Sequence, residues 1–285
     1  MASLRDLRRR IKSVTSTEKI TKAMELVAAA KVRRAQDRVL RARPYAEHLE
    51  QVIVDMIRRS QNLKHPYVTE PAGPRKLVIL VTTDRGLCGA LNSNTMRIVL
   101  QEMREHQELP WPVVAIGKKG RDMMHRLDRN VVAEVTGLGD RPHVTDILPA
   151  VHAAMEELEE GRVDEIDIAY AKFVSLGRQV ATMKRLLPVD LPEDVEPLPS
   201  DFDYEPELEM LLEEILPRYA EAMAYQAVLE NAASEQAAKM LAMRNASENA
   251  NDLIKSLTLT ANKVRQANIT RELMDIVGGA AALEQ

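Results

Sequence analysis

The sixty residues between Pro217 and Gly278 contain neither glycine nor proline. Nothing in that run breaks a helix, and at 1.5 Å per residue a continuous helix over it would be about 90 Å long. Ordinary globular helices stop after three or four turns, so one of this length needs a companion. The first sixty-five residues hold a single breaker, Pro44, which predicts a second helix of about 60 residues, kinked or loosened near the proline. With 29% of residues charged and only 3% aromatic, the composition has the bias of long helices and coiled coils.

Both segments carry apolar residues at alternating steps of three and four. In the C-terminal one the stripe is Met240, Met243, Ser247, Ala250, Ile254, Leu257, Ala261 and Val264. In the N-terminal one Leu4, Leu7, Ile11 and Val14 form one stripe and Ala42, Tyr45, Leu49, Val52 and Met56 another, with a register shift through Ile20, Met24 and Val27 between them. The expectation is an antiparallel two-helix coiled coil made by the two chain ends. The alternative left open is that each helix packs on the middle of the chain.

Nine of the eleven glycines lie between Gly73 and Gly177, which puts a compact domain in the middle. There Lys76–Thr82, Pro112–Gly117 and Val131–Val135 read as strands, alternating with helices over Asn94–His106, Lys118–Leu127 and Thr145–Glu160. Glu165–Phe173 and Gln179–Leu186 flank Gly177 as a hairpin. The βαβαβα order predicts a mostly parallel, Rossmann-like sheet with covering helices, so the fold class is α/β with a long antiparallel coiled coil.

Several chemistries are excluded. A single cysteine, Cys88, leaves no internal disulfide and no multi-cysteine zinc site. The six histidines have no ligand spacing. No apolar run approaches the ~18 residues that cross a bilayer. The Arg-rich start is interrupted by Asp6, Glu18 and Glu25 and is read as mature sequence rather than a transit peptide. Thr82–Asn94 (TTDRGLCGALNSN) follows a strand where a doubly wound sheet places its ligand, but it lacks the G-x-G-x-x-G and G-x-x-x-x-G-K-[ST] spacings. Cys88 there is either a nucleophile without an assignable partner or a small packed thiol. Gly117–Gly120 (GKKG) is either an anion-holding helix start or a solvated helix entry. Residues 1–43 carry thirteen Lys/Arg against four Asp/Glu, whereas 190–214 carry eleven Asp/Glu and no Lys/Arg. The basic helix fits nucleic-acid phosphates or an acidic protein surface, and composition does not choose.

Three segments in order carry a family resemblance: IKSVTSTEKITKAMELVAAAKVRRAQ (Ile11–Gln36), TTDRGLCGALNSN (Thr82–Asn94) and SENANDLIKSLTLTANKVRQANITRELMDIVGGAAAL (Ser247–Leu283). They resemble the gamma subunits of rotary proton-translocating ATP synthases, over nearly the whole chain. The resemblance implies a non-catalytic central rotor shaft coupling proton-driven rotation to the catalytic sites of an alpha–beta ring. It implies 1–65 and 207–285 as the coiled-coil helices and 75–190 as the α/β foot. It also implies ring contacts at Met24, Arg265, Gln266 and Thr270, and an apolar tip bearing at Ile276, Val277, Ala280 and Leu283. SDFDYEP (Ser200–Pro206) resembles the foot segment, so Phe202, Tyr204 and Glu205 are the candidate contacts with the membrane rotor. The implied partners are alpha, beta and epsilon subunits and the ring of c subunits, with no nucleic acid, no cofactor and no metal. The implied location is the cytoplasmic side of a bacterial inner (plasma) membrane, held there peripherally through partners. The redox loop with paired cysteines found in plant-chloroplast forms is absent, which excludes that regulation here. The rival from another class is an α/β anion-binding enzyme with helical oligomerisation arms.

Overall fold

A computed structural model describes residues 3–60, 65–106, 111–190 and 208–283. The elements are α1 (Leu4–Arg59), β1 (Lys76–Val81), α2 (Leu91–Glu105), β2 (Val113–Ile116), α3 (Lys118–Arg126), β3 (Val131–Val135), α4 (Val144–Glu159), β4 (Glu165–Ser175), β5 (Arg178–Leu187) and α5 (Leu208–Leu283). They form two compact units, one of Met1–Val27 with Met240–Gln285 and the other of Ala28–Lys239.

The two terminal helices are those the breaker-free runs predict. α1 passes through Pro44 without interruption. The proline sits on the solvent face, as does Leu40, whose carbonyl loses its i+4 donor, so water can serve the freed group. The inward stripe of α1 differs from the expected one. Steps of three and four run unbroken from Leu4 to Met56 through Glu18, Thr21, Glu25, Ala28, Val32, Ala35 and Val39, all buried or half-buried. No register shift occurs, and Ile20, Val27 and Tyr45 face solvent. The apolar pattern misled because polar residues hold part of the stripe with partners of their own. The Thr21 hydroxyl donates to the Glu18 carbonyl at 3.0 Å, and Glu25 pairs with Lys22 at 2.9 Å. The α5 stripe from Met240 to Val264 is buried or half-buried at all eight predicted positions.

In the smaller unit the Ser247 hydroxyl meets the Glu18 carboxylate at 3.5 Å. Few large apolar side chains are buried here: Leu7 and Met243 are, beside Ala250 and Ala261. Close approach of small residues, rather than a thick apolar core, joins these helices.

The larger unit holds a five-stranded sheet of order β3-β2-β1-β4-β5, parallel throughout except for the antiparallel β4–β5 hairpin. The continuous apolar run of β1 is explained by helices on both faces. Leu77, Ile79 and Val81 point into a core with Ile147 and Val151 of α4, while Val78 and Leu80 meet Val99 and Met103 of α2 and Met124 of α3. The first core also takes Ile53 and Met56 of α1 and Leu212, Leu216, Ala220 and Ala227 of α5. Here the terminal helices pack on the middle of the chain as well as on each other. Arg43–Glu230 at 3.0 Å, Tyr219–Glu50 at 3.5 Å and Ser60–Glu209 at 3.4 Å record their antiparallel course.

Candidate functional site

α5 outruns its companion. Fourteen residues back from Glu18 is Leu4, where α1 begins, and fourteen on from Ser247 is Ala261, which is buried. After half-buried Val264 every described side chain of α5 is exposed. Arg265, Gln266 and Thr270 fall on this unaccompanied segment. The Thr270 hydroxyl donates to the Gln266 carbonyl at 3.0 Å, which aligns the two one turn apart, and Arg265 lies about 100° around the helix. Arg265 makes no ion pair among the described residues. Ile269, Leu273 and Ile276 form an apolar stripe at four- and three-residue steps, with Ile276 68% and Val277 64% exposed. Ala280 lies further along α5 and Leu283 ends it. Met24 is half-buried on α1, beside the seam position Glu25. Phe202, Tyr204 and Glu205 lie outside the described residues.

The loop after β1 has different chemistry from the one its position suggests. In doubly wound sheets the free N–H groups of a helix start cradle a bound anion. At the start of α3 those groups are already taken: Lys118 N–H by the Asp84 carboxylate at 3.0 Å, Lys119 N–H by the Thr83 carbonyl at 3.0 Å, and Gly120 N–H by the Thr82 hydroxyl at 2.8 Å. The other Asp84 oxygen accepts from Gly137 N–H at 2.9 Å. Asp84 is thus the site's own anion. Gly117 has a positive φ of 98°, and an added Cβ would lie 2.2 Å from the Thr82 carbonyl oxygen. The GKKG glycines are therefore explained by close packing of α3 on the end of β1.

Cys88 is buried, with Asn92 Nδ2 donating to its sulfur at 3.5 Å and the Thr83 hydroxyl 4.0 Å away. Burial pushes the thiol pKa up against the hydroxyl's opposing effect, which keeps it protonated and a poor nucleophile. No group of three or more His, Cys, Asp or Glu suited to a metal occurs among the described residues, and no described helix is long and apolar enough to cross a membrane. Sequence reasoning missed Asp84 and the seam residues Glu18 and Thr21. The first had a signal, an Asx residue just before a glycine turn. The others had none, because a seam predicted from apolar residues passes over polar ones.

Paired helices joined to a doubly wound sheet, with the start of α3 filled by Asp84 from the loop after β1, define an α/β protein with helical arms. A family model described as ATP synthase matches residues 3–283. The chain is 46% identical over 295 residues to the ATP synthase gamma chain of Herpetosiphon aurantiacus, covering 100% of both. It is 44% identical over 296 residues to that of Nitrosomonas eutropha, covering 99% of this chain and 100% of the relative. Its fold is similar to a chain of the Euglena gracilis mitochondrial ATP synthase, with a TM-score of 0.70 and 21% identity over 98% of this chain and 94% of that one. A chain of the Tetrahymena thermophila central stalk and c-ring gives a TM-score of 0.61 and 24% identity over 80% and 99%. The chain belongs to the ATP synthase gamma-chain family.

Proposed function

We propose that this chain is the shaft that carries rotation from a membrane ring of c subunits to the catalytic sites of an alpha–beta ring. The full-length match to gamma chains carries the reading, and the unaccompanied, exposed end of α5 supports it. A shaft lacking symmetry about its axis touches three beta subunits differently. Each orientation then favours a different set of open and closed nucleotide sites, and turning the shaft shifts those populations. Driving a site almost wholly from one state to the other takes about 5.5 kcal/mol of differential interaction, so a few contacts must switch as the shaft turns.

Arg265, Gln266 and Thr270 are the proposed switching contacts on α5, and Met24 is the one on α1. The guanidinium supplies fixed donors and the amide and hydroxyl adaptable ones, a set suited to one polar loop of the ring. The stripe ending in Ile276 and Val277, continued in sequence by Ala280 and Leu283, turns in an apolar bearing. Residues 1–65 and 207–285 serve as the shaft and 75–190 as the foot. Phe202, Tyr204 and Glu205 meet the c ring, and an epsilon subunit is a further partner. The complex sits on the cytoplasmic face of a bacterial plasma membrane, to which this chain is held only through its partners.

The test is a reconstituted complex carrying Arg265→Ala, Gln266→Ala and Thr270→Ala, with assembly checked first. Proton-driven ATP synthesis and ATP hydrolysis should fall further than in any single variant, because contacts within one network are not additive, while nucleotide still binds the ring. Normal synthesis and hydrolysis in the assembled triple variant would remove these residues and leave steric asymmetry as the mechanism. Asp84 fills the start of α3, so the GKKG turn offers an anion-binding enzyme no site.

A further inference from the structure

Inside the larger unit, the helical pair is fastened to the sheet at a place where one strand outgrows its neighbour. β4 runs eleven residues, but its pairing with β1 ends at Leu80↔Ala169. Past that point β4 keeps β5 on one edge and would leave backbone groups of Ala171 and Phe173 bare on the other. Unpaired buried backbone groups are costly, so something must replace the missing strand. α5 supplies three consecutive replacements. The Ala171 N–H donates to Asn231 Oδ1 at 3.3 Å, the Ser234 hydroxyl donates to the Ala171 carbonyl at 2.8 Å, and the Phe173 N–H donates to a Glu230 carboxylate oxygen at 3.2 Å. The other Glu230 oxygen accepts from the Arg43 guanidinium of α1 at 3.0 Å and from Gln226 at 3.2 Å. Glu230, Asn231 and Ser234 are all buried. One carboxylate thus joins α1, α5 and β4.

Apolar packing of a helix on a sheet is non-directional and resists rolling of the helix weakly, whereas hydrogen bonds weaken steeply once misaligned. A buried charge-assisted bond adds the penalty of stranding a carboxylate if the geometry is lost. We propose that this clasp is the torsional joint of the rotor, with Glu230, Asn231 and Ser234 as positioning residues that lock α5 to β4 and Arg43 tying α1 to the same carboxylate. A turn of the α/β sheet then turns the helices instead of rolling them on its surface. The proposal rests on the rotor reading and adds the place where torque enters the helices.

The experiment uses the complete ATP synthase with its alpha–beta ring immobilised and a bead tethered to α2, recording the bead's angular fluctuation while the ring is held in one nucleotide state. If the three α5–β4 links act as parallel springs of similar stiffness, Asn231→Leu with Ser234→Ala removes two of them and should roughly triple the angular variance arising at the joint. A purely structural role would lower the melting temperature and leave the fluctuation unchanged. An assembled double variant with the parent's angular width overturns the proposal. Should the double variant fail to assemble, Ser234→Ala alone loses one of the three links and should raise that variance about 1.5-fold, and the same measurement decides by the same two outcomes. Failure of the parent complex to rotate under ATP would remove the rotor reading itself. A rotating parent with an unaltered variant width removes only the clasp.

Discussion

At the scale of single residues, buried polar groups decide more than apolar ones. Asp167 on β4 is buried beside Glu165, and Lys76 of β1, Glu102 of α2 and Arg185 of β5 line the same cavity. Burial, reinforced by the Glu165 charge, raises the Asp167 pKa to about 7. Burial also pushes Glu165 upward, but a hydrogen bond from Asp167 and the charges of Lys76 and Arg185 hold it below its usual value. In the unfolded chain Asp167 releases its proton near 3.9, so folding takes up a proton between about pH 4 and 7 and stability falls as pH rises through that window. The neutral variant Asp167→Asn lacks this dependence. Melting temperatures of the isolated chain should therefore decline from pH 5 to 8 more steeply for the parent than for the variant, and parallel curves would disprove the coupling. Gly117→Ala should destabilise by more than the ordinary ~1 kcal/mol of a glycine change, since the positive φ and the Thr82 carbonyl both oppose a Cβ. Urea unfolding of the variant measures it.

At the scale of elements, one helix has two mechanical regimes. Leu216 of α5 is fully buried in the sheet core, so Leu216→Ala should cost about 2–5 kcal/mol. Ile254 and Leu257 occupy the predicted seam but are only half-buried. Truncation of Leu257 should cost below about 2 kcal/mol, because less apolar surface leaves water there. Denaturant unfolding of the two variants side by side checks the order, and a larger loss at Leu257 would contradict the seam described here. Amide hydrogen exchange should follow the same gradient, slowest over Leu212–Ala237 and fastest past Val264, where α5 has no companion among the described residues.

At the scale of the whole molecule, charge separates the chain's partners. Most of the thirteen Lys/Arg of residues 1–43 should meet carboxylates of the surrounding ring, Lys22, Lys31 and Arg43 being paired within the chain, and such long-range attraction is screened by salt. Reconstitution with alpha–beta ring should slow as ionic strength rises, read from the rate at which ATP hydrolysis appears; a salt-independent rate would assign assembly to apolar contacts instead. The long helices, the positions of the strands along the chain and the hairpin around Gly177 were legible in the sequence because they depend on local quantities: missing breakers, a period of two or about 3.6, and glycine at turns. The α5 stripe was legible for the same reason, since its inward positions are mostly apolar or small. The unbroken stripe of α1 was not, because Glu18, Thr21 and Glu25 take seam positions through local bonds that no hydropathy period registers. Nor was the filling of the α3 start by Asp84, or the hold of Glu230, Asn231 and Ser234 on the overhang of β4. Those depend on which backbone groups the sheet leaves unpaired, a property of strand lengths meeting in space that arises only once residues distant in the chain are brought together.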